Sequence, residues 1–192
     1  RTYHYVLPFH QLRAGQVGRS GEQVQPRSSG HCWVPIDDEN TMVFNWTFTW
    51  DDKPLPAKAQ RLEGTGNAWD VDIDRNTFIS GRNKGNDWLL DRQMQRTENF
   101  TGIVGVNTQD RALQETMGTI ADRSQERLGT SDRAIIAMRK LLAEAVRVAS
   151  DGGAPRGSQG EFVGIRAIDR ILPAGQAWTA LKPEMYPANV SS

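Results

Sequence analysis

The sequence predicts an α+β domain in which an antiparallel sheet is packed by one long helix. Three observations carry that prediction. From Thr41 to Trp50, the large apolar residues Met42, Phe44, Trp46, Phe48 and Trp50 alternate with Val43, Asn45, Thr47 and Thr49, the period of a strand with one buried face. From Ile135 to Ala149, the residues Ile135, Met138, Leu141, Leu142, Ala145, Val148 and Ala149 form one apolar stripe at helical spacing. Sheet-like and loop-like segments precede Asp87, and the helical ones follow it.

Taken in order, Tyr3 to Leu12 reads as a strand of aromatic and β-branched residues, with Pro8 placing it near an edge or a bulge. Gly15 to Gly30, rich in Gly, Ser, Gln and Arg, reads as a loop or hairpin tip. His31 to Ile36 is a second strand and Thr41 to Trp50 a third. Asp37, Asp38, Glu39 and Asn40 between them predict a hairpin with a loop of about four residues. The apolar face of the third strand requires a cover, and the stripe of the long helix suits it. Asp51 to Gln60, with two Pro and two Lys, reads as a connector. Arg61 to Asn86 holds no period, and long irregular segments often carry function. Trp88 to Gln95 has the makings of a short helical turn. A helix then begins near Asn107 or Thr108, either of which serves as N-cap, with Gly118 interrupting it and Gly129 ending the segment. The long helix is capped by Thr130, Ser131 or Asp132 and stopped by Asp151, Gly152 and Gly153. Glu161 to Leu172 reads as a short late strand and Pro173 to Ser192 as a surface tail.

Composition narrows the function classes. The 192 residues carry 23 basic and 23 acidic side chains, so no basic excess supports binding to nucleic acid or an acidic membrane. Six Trp and six Phe are enough to anchor a core. The single cysteine, Cys32, excludes an internal disulfide framework and suits a reducing cytoplasm. No apolar run approaches the roughly 18–20 residues of a transmembrane helix. The chain opens on Arg1 and enters a strand at once, so we expect it to be incomplete at its N-terminus.

Metal and nucleophile motifs are sparse. His4, His10 and His31 form no His-x-His, Cys-x-x-Cys or His-Glu-x-x-His pattern. On one continuous strand His4 and His10 share a face but stand about 20 Å apart, too far for a common metal. His31 and Cys32 are adjacent, and strand alternation sends them to opposite faces. The dipeptide Asp-Arg begins at residues 74, 91, 110, 122, 132 and 169 with irregular spacing, and local charge pairing accounts for it. Asp110 by its position is a helix-start carboxylate, a common arrangement that complements the helix dipole.

An ordered set of short motifs adds more. Asp91-Arg92-Gln93-Met94-Gln95, Phe100-Thr101-Gly102-Ile103, Asn107-Thr108-Gln109-Asp110, Glu115-Thr116-Met117-Gly118, Ile120-Ala121-Asp122-Arg123, Leu128-Gly129 and Ser131-Asp132 follow one another, preceded by Trp33-Val34-Pro35-Ile36-Asp37-Asp38-Glu39-Asn40-Thr41. This set resembles the C-terminal catalytic domain of Rieske non-haem iron aromatic-ring oxygenases, in the group that holds phthalate dioxygenase and the dehydrodivanillate O-demethylase type. The resemblance runs from about Tyr3 to Ala149 and is weakest over Lys53 to Asp74.

The resemblance implies a helix-grip (START/Bet v 1-like) fold. It implies mononuclear Fe(II) held by two His and one carboxylate with open positions for O2, and a 2Fe–2S Rieske cluster in an N-terminal domain absent from this chain. A flavin/iron-sulfur reductase, an aromatic substrate, a homotrimer and a bacterial cytoplasmic location are implied as well. Residues 1–150 are then a partial catalytic domain and 151–192 a C-terminal extension. The family's carboxylate ligand maps onto Asp110, in the pair Gln109-Asp110. Its two His ligands belong upstream of Tyr3, and His4, His10 and His31 do not match them. Asp91, Arg92, Asp122 and Arg123 match family positions and read as structural caps and ion pairs. Phe100, Ile103 and Val106, just before Asp110, are candidates for an apolar substrate wall, with core packing as the alternative. The function expected is hydroxylation or O-demethylation of an aromatic, carboxylated by analogy, with the 192 residues inactive alone. The alternatives are a helix-grip module that binds a small molecule without catalysis, and an assembly subunit.

Overall fold

The computed structural model describes residues 1–15, 25–64, 73–158 and 164–187. By its internal contacts the chain divides into two units, Arg1–Pro54 with Arg127–Ser192, and Leu55–Glu126.

The first unit is built on a four-stranded antiparallel sheet of β1 (Tyr3–Val6), β2 (His10–Ala14), β3 (Arg27–Pro35) and β4 (Thr41–Thr49), in the order β1-β2-β3-β4. The β3–β4 hairpin is the one predicted. Its turn is held by Asp37, whose Oδ1 accepts the N–H groups of Glu39 at 2.8 Å and Asn40 at 2.7 Å. Register places His4, Leu12, Gly30 and Trp46 in one row across the sheet, and Val6, His10, Cys32 and Phe44 in the next. Both rows lie on one face, because partners in an antiparallel pair share a side and residues two apart do too.

The single strand expected over Tyr3–Leu12 is instead a tight hairpin. Leu7, Pro8 and Phe9 form its turn, with a cis Leu7–Pro8 peptide. His4 and His10 therefore stand diagonally on neighbouring strands, roughly 7–8 Å apart rather than 20 Å. Residues 16–24 of the expected loop lie outside the described residues, and Arg27–Gly30, read as loop, belong to β3.

The long helix is α4 (Arg133–Ser150), stopped as expected at Asp151 and Gly152. Met138, Leu141, Leu142, Ala145 and Val148 make its half-buried side. A four-stranded antiparallel sheet with helices, the longest of them α4, is an α+β architecture consistent with a helix grip.

Two expectations for the C-terminal part are corrected. Of the strand expected over Glu161–Leu172, residues 164–172 form none, and of the surface tail expected over Pro173–Ser192, residues 173–187 are not one; residues 161–163 and 188–192 lie outside the described residues. A 3₁₀ turn at Trp178–Leu181 leads into α5 (Lys182–Met185). Leu181 and Met185 are buried with Ile168, and Trp50 and Leu172 pack against them. This segment is tied to the start of the chain. Thr2 N–H donates to the Ile168 carbonyl at 2.8 Å, and Ile168 N–H donates to Thr2 Oγ1 at 2.7 Å. Arg1 Nε lies 2.9 Å from Asp169 Oδ2.

The second unit holds α1 (Ala57–Gly64), α2 (Arg92–Thr97) and α3 (Val106–Glu115). Helix α1 overlaps what reads in sequence as connector. Residues 65–72 of the expected irregular stretch lie outside the described residues. The core is small: Trp88, Ile103 and Ala112 are buried together, with Leu90 against them. Asp87, Trp88 and Leu89 are three consecutive non-glycine residues in the left-handed region, at φ 49, 52 and 53. Such a run is costly without tertiary support. Here the indole N–H of Trp88 donates to Glu115 Oε2 at 2.8 Å, joining the turn to the end of α3.

Candidate functional site

Helix α3 positions the carboxylate that the sequence singles out. Gly105 is its N-cap, at φ 92, so neither Asn107 nor Thr108 caps it. It ends at Glu115, before Gly118. Thr108 and Ala112, four residues apart, face the interior. Gln109 Nε2 donates to the Ile103 carbonyl at 2.9 Å and fixes the approach to the helix. Asp110 is the fifth helical residue and projects away from the buried side.

The six Asp-Arg pairs now separate. Asp74 accepts the N–H of Asn76 at 2.8 Å. Asp91 caps α2 through the N–H groups of Gln93 and Met94, at 2.7 and 3.0 Å. Asp122 caps a 3₁₀ turn through Ser124, at 3.0 Å. Asp132 accepts the N–H of Gly129 at 2.8 Å. Asp169 pairs with Arg1. Asp110 alone of the six has no hydrogen-bond or ion-pair partner among the described residues. Val106 and Leu113 share its helix side and are 52% and 65% exposed, and Met117 and Ile120 beyond the helix end are exposed too.

The structural roles read for Asp91, Arg92, Asp122 and Arg123 hold. Arg92 Nη1 donates to Gln95 Oε1 at 2.7 Å, and Arg123 pairs with Glu126 at 2.9 Å. Of the three candidate wall residues, Ile103 is buried in the Trp88 core, whereas Phe100 is 97% exposed and Val106 is exposed. The three are not brought to a common cavity among the described residues. His31 and Cys32 take opposite sides, as alternation requires: His31 Nδ1 meets Asn45 Oδ1, and Cys32 Sγ meets His10 Nδ1 at 3.0 Å. Among the described residues no group of three or more His, Cys, Asp or Glu converges.

A cavity that sequence reading did not find lies in the sheet unit. It is an open cleft of about 750 Å³ lined by residues of β1, β2 and β4 and the segment after them, Val6, His10, Leu12, Trp46, Thr47, Phe48 and Trp50, together with Gly164, Ile165 and Arg166. Its aromatic wall is continuous. Trp46 stacks on Phe48 at 5.6 Å between centroids, and Phe48 meets Trp50 edge-on at 6.1 Å. The Arg166 guanidinium sits 5.5 Å from the Trp50 ring centroid, within cation–π range. Main-chain bonds hold Arg166 in place. Its N–H donates to the Met185 carbonyl at 3.0 Å, and its carbonyl lies 2.9 Å from His4 Nε2. A carbonyl only accepts, so His4 Nε2 donates to it, and His4 Nδ1 lies 3.4 Å from the Tyr186 hydroxyl. The even spacing of Trp46, Phe48 and Trp50 was the available signal for the wall. Nothing in sequence joined it to Arg166.

The fold is that of an α+β domain with an aromatic-lined cavity in one unit and an exposed helix-borne carboxylate in the other. The chain belongs to the family described as LigXa C-terminal domain like, whose model matches residues 27–191. It is 38% identical over 113 residues to the phthalate 4,5-dioxygenase oxygenase subunit of Pseudomonas putida, a stretch that is 59% of this chain and 25% of that protein. It is 34% identical over 169 residues to the 3-chlorobenzoate-3,4-dioxygenase oxygenase subunit of Comamonas testosteroni, 80% of this chain and 36% of that protein. The chain thus spans well under half the length of these curated relatives. Among the described residues no helix is long and apolar enough to cross a membrane.

Proposed function

We propose that this chain is part of the catalytic domain of an oxygenase component that hydroxylates or O-demethylates an aromatic compound with Fe(II) and O2, with electrons passing from a reductase through a Rieske 2Fe–2S cluster. The observation that carries this reading is family membership over residues 27–191 together with two relatives named as dioxygenase oxygenase subunits. Those names specify phthalate and 3-chlorobenzoate, both aromatic carboxylates, and they support an aromatic acid as the substrate class here.

Asp110 is the iron ligand this chain supplies. Support comes from its match, after Gln109, to the family's carboxylate position; in the fold it lies in the second turn of α3 rather than at the helix start expected from sequence, without a partner among the described residues and beside the exposed Val106 and Leu113. A hard carboxylate suits Fe(II). The two His ligands and the cluster domain come from protein outside these 192 residues, in a complex that is a homotrimer. Phe100 and Val106, exposed beside α3, and Ile103 behind them belong to the surroundings of that iron.

The test uses the full reading frame that contains this sequence, purified with ferrous iron under exclusion of air. The intact protein should hold mononuclear iron in addition to the cluster. Asp110→Ala should lose that iron and turnover while keeping the visible spectrum of the cluster. Retention of mononuclear iron by Asp110→Ala refutes the assignment. A second reading, small-molecule binding without catalysis, is favoured by one observation: all the described residues that line the cavity belong to the sheet unit. It takes over if the full reading frame holds no mononuclear iron yet binds aromatic acids.

A further inference from the structure

We infer that Trp88 and Glu115 are positioning residues for Asp110: the bond from the Trp88 indole N–H to the Glu115 carboxylate fixes the direction in which α3 presents Asp110. The role of Asp110 rests on the oxygenase reading, whereas the link between Trp88 and Glu115 does not. The first observation is backbone strain. Asp87, Trp88 and Leu89 lie at φ 49, 52 and 53. Residues with side chains hold the left-handed region in succession only where their surroundings over-determine it, and such outliers cluster at functional sites. The run is tied down on both sides. Trp88 N–H donates to the Asn83 carbonyl at 3.0 Å, and Leu90 N–H donates to the Asp87 carbonyl at 3.0 Å. What the strained run achieves is the aim of one side chain. Trp88 is buried with Ile103 and Ala112, and its indole N–H lies 2.8 Å from Glu115 Oε2.

That aim matters because of where α3 is held. The approach to the helix is fastened to Asp91, two residues after the strained run. Asp91 N–H donates to the Gly102 carbonyl at 2.8 Å. Gly102, at φ 67, sits so close to the Asp91 carbonyl that a Cβ has no room. The last residue of α3, Glu115, is fastened to Trp88. Residues 87–91 therefore grip α3 ahead of its start and at its end, with Ala112 packed against Trp88 between them. A ten-residue helix held at one end pivots about that end, and one held at both ends has a single direction. Asp110 lies between the two fastenings, so its direction is that of the helix. A ligating side chain needs such support, because a site a fraction of an ångström too loose loses its ligand geometry.

The experiment uses the protein of the full reading frame. Amide hydrogen exchange, measured on protein stripped of mononuclear iron, compares α3 with α4. Competition with a chelator measures the affinity for mononuclear iron. Trp88→Phe keeps a ring and loses the N–H, Glu115→Ala loses the acceptor, and Glu115→Gln keeps an acceptor oxygen. Trp88→Phe and Glu115→Ala should each speed exchange in α3 about fivefold, the equivalent of one ordinary hydrogen bond, and leave α4 unchanged. Each should also weaken iron binding about 10–100-fold, the usual effect of losing an outer partner of a metal ligand. Glu115→Gln should behave as the unsubstituted protein in both measurements. A merely structural bond would lower Tm and leave the iron affinity of the folded protein where it was. The inference is overturned by unchanged α3 exchange in Trp88→Phe and Glu115→Ala, or by faster exchange with iron affinity intact. If the unsubstituted protein holds no mononuclear iron, the oxygenase reading falls, and α3 exchange alone decides whether the link sets the direction of the helix.

Discussion

Gly30 is the position where one added carbon should do most damage to the sheet and cavity together. It sits in the middle of β3, between Leu12 of β2 and Trp46 of β4, and it is buried. A Cβ built there would lie inside the van der Waals envelope of the Gln11 carbonyl oxygen and of Trp46 Cζ2, and 2.8 Å from Trp46 Cε2. The indole can tilt away, but the carbonyl belongs to the backbone of the neighbouring strand and cannot. Overpacking costs about 1–3 kcal/mol in a core that adjusts by rotamer changes, and a clash with a strand backbone belongs at the upper end, about 3 kcal/mol. At about 2–4 °C per kcal/mol for a chain of this length, Gly30→Ala should lower Tm by about 6–12 °C. It should also shift tryptophan emission to the red as Trp46 moves toward solvent. Thermal melting followed by circular dichroism and by fluorescence measures both. Gly152→Ala is the control. Gly152 has φ +78 with nothing within 4 Å of an added Cβ, so its cost is the backbone preference alone, about 1 kcal/mol. A Gly30→Ala protein that melts within about 2 °C of the unsubstituted one, or above Gly152→Ala, would refute the steric reasoning.

Two further outcomes are expected. Trp88→Phe removes the indole N–H that reaches Glu115; a double-mutant cycle with Glu115→Ala should give a coupling of about 1 kcal/mol, discounted because Glu115 is exposed, and a coupling near zero contradicts the bond. Asp37 is held below the ordinary carboxylate range first by the N–H of Glu39, then by the side chain and N–H of Asn40. A depressed folded value stabilises above the unfolded value and is lost as pH falls through the folded one. The fall in Tm on acidification from about pH 5 to about pH 3 should therefore be shallower in Asp37→Asn, and parallel profiles would refute it.

What sequence alone revealed, and what it hid, follows from where the information sits. The β3–β4 hairpin was legible because its period and its turn chemistry lie within 15 residues of each other. So was α4, whose stripe and Gly stop are equally local. The β1–β2 hairpin was hidden because its turn, Leu7-Pro8-Phe9, carries apolar residues that also suit a strand interior. The C-terminal segment was hidden for the opposite reason. Ile168, Leu181 and Met185 follow no period, and they become a core only by meeting one another and Trp50. Arg166 lines the cavity, and its main-chain carbonyl meets His4, a partner 162 positions away, which no local pattern records.

The carboxylates make the same point more sharply. Six Asp-Arg pairs look alike as dipeptides, and all six invite the reading of a cap or an ion pair. The local charge pairing expected of them gives way to main-chain capping: Asp74, Asp91, Asp122 and Asp132 accept backbone N–H groups, and Asp169 pairs with the distant Arg1. Helix-start propensity cannot separate Asp110 from them, because propensity describes what a residue does for its own backbone. The separation appears only when partners are assigned: Asp110 contributes no side-chain bond to α3 among the described residues and stands beside the exposed Val106 and Leu113. The helix is capped instead by Gly105. Lack of a partner does not by itself separate Asp110 from other exposed carboxylates, since Asp38, Asp52 and Glu144 have none among the described residues either; what singles it out is the order of motifs around Gln109-Asp110.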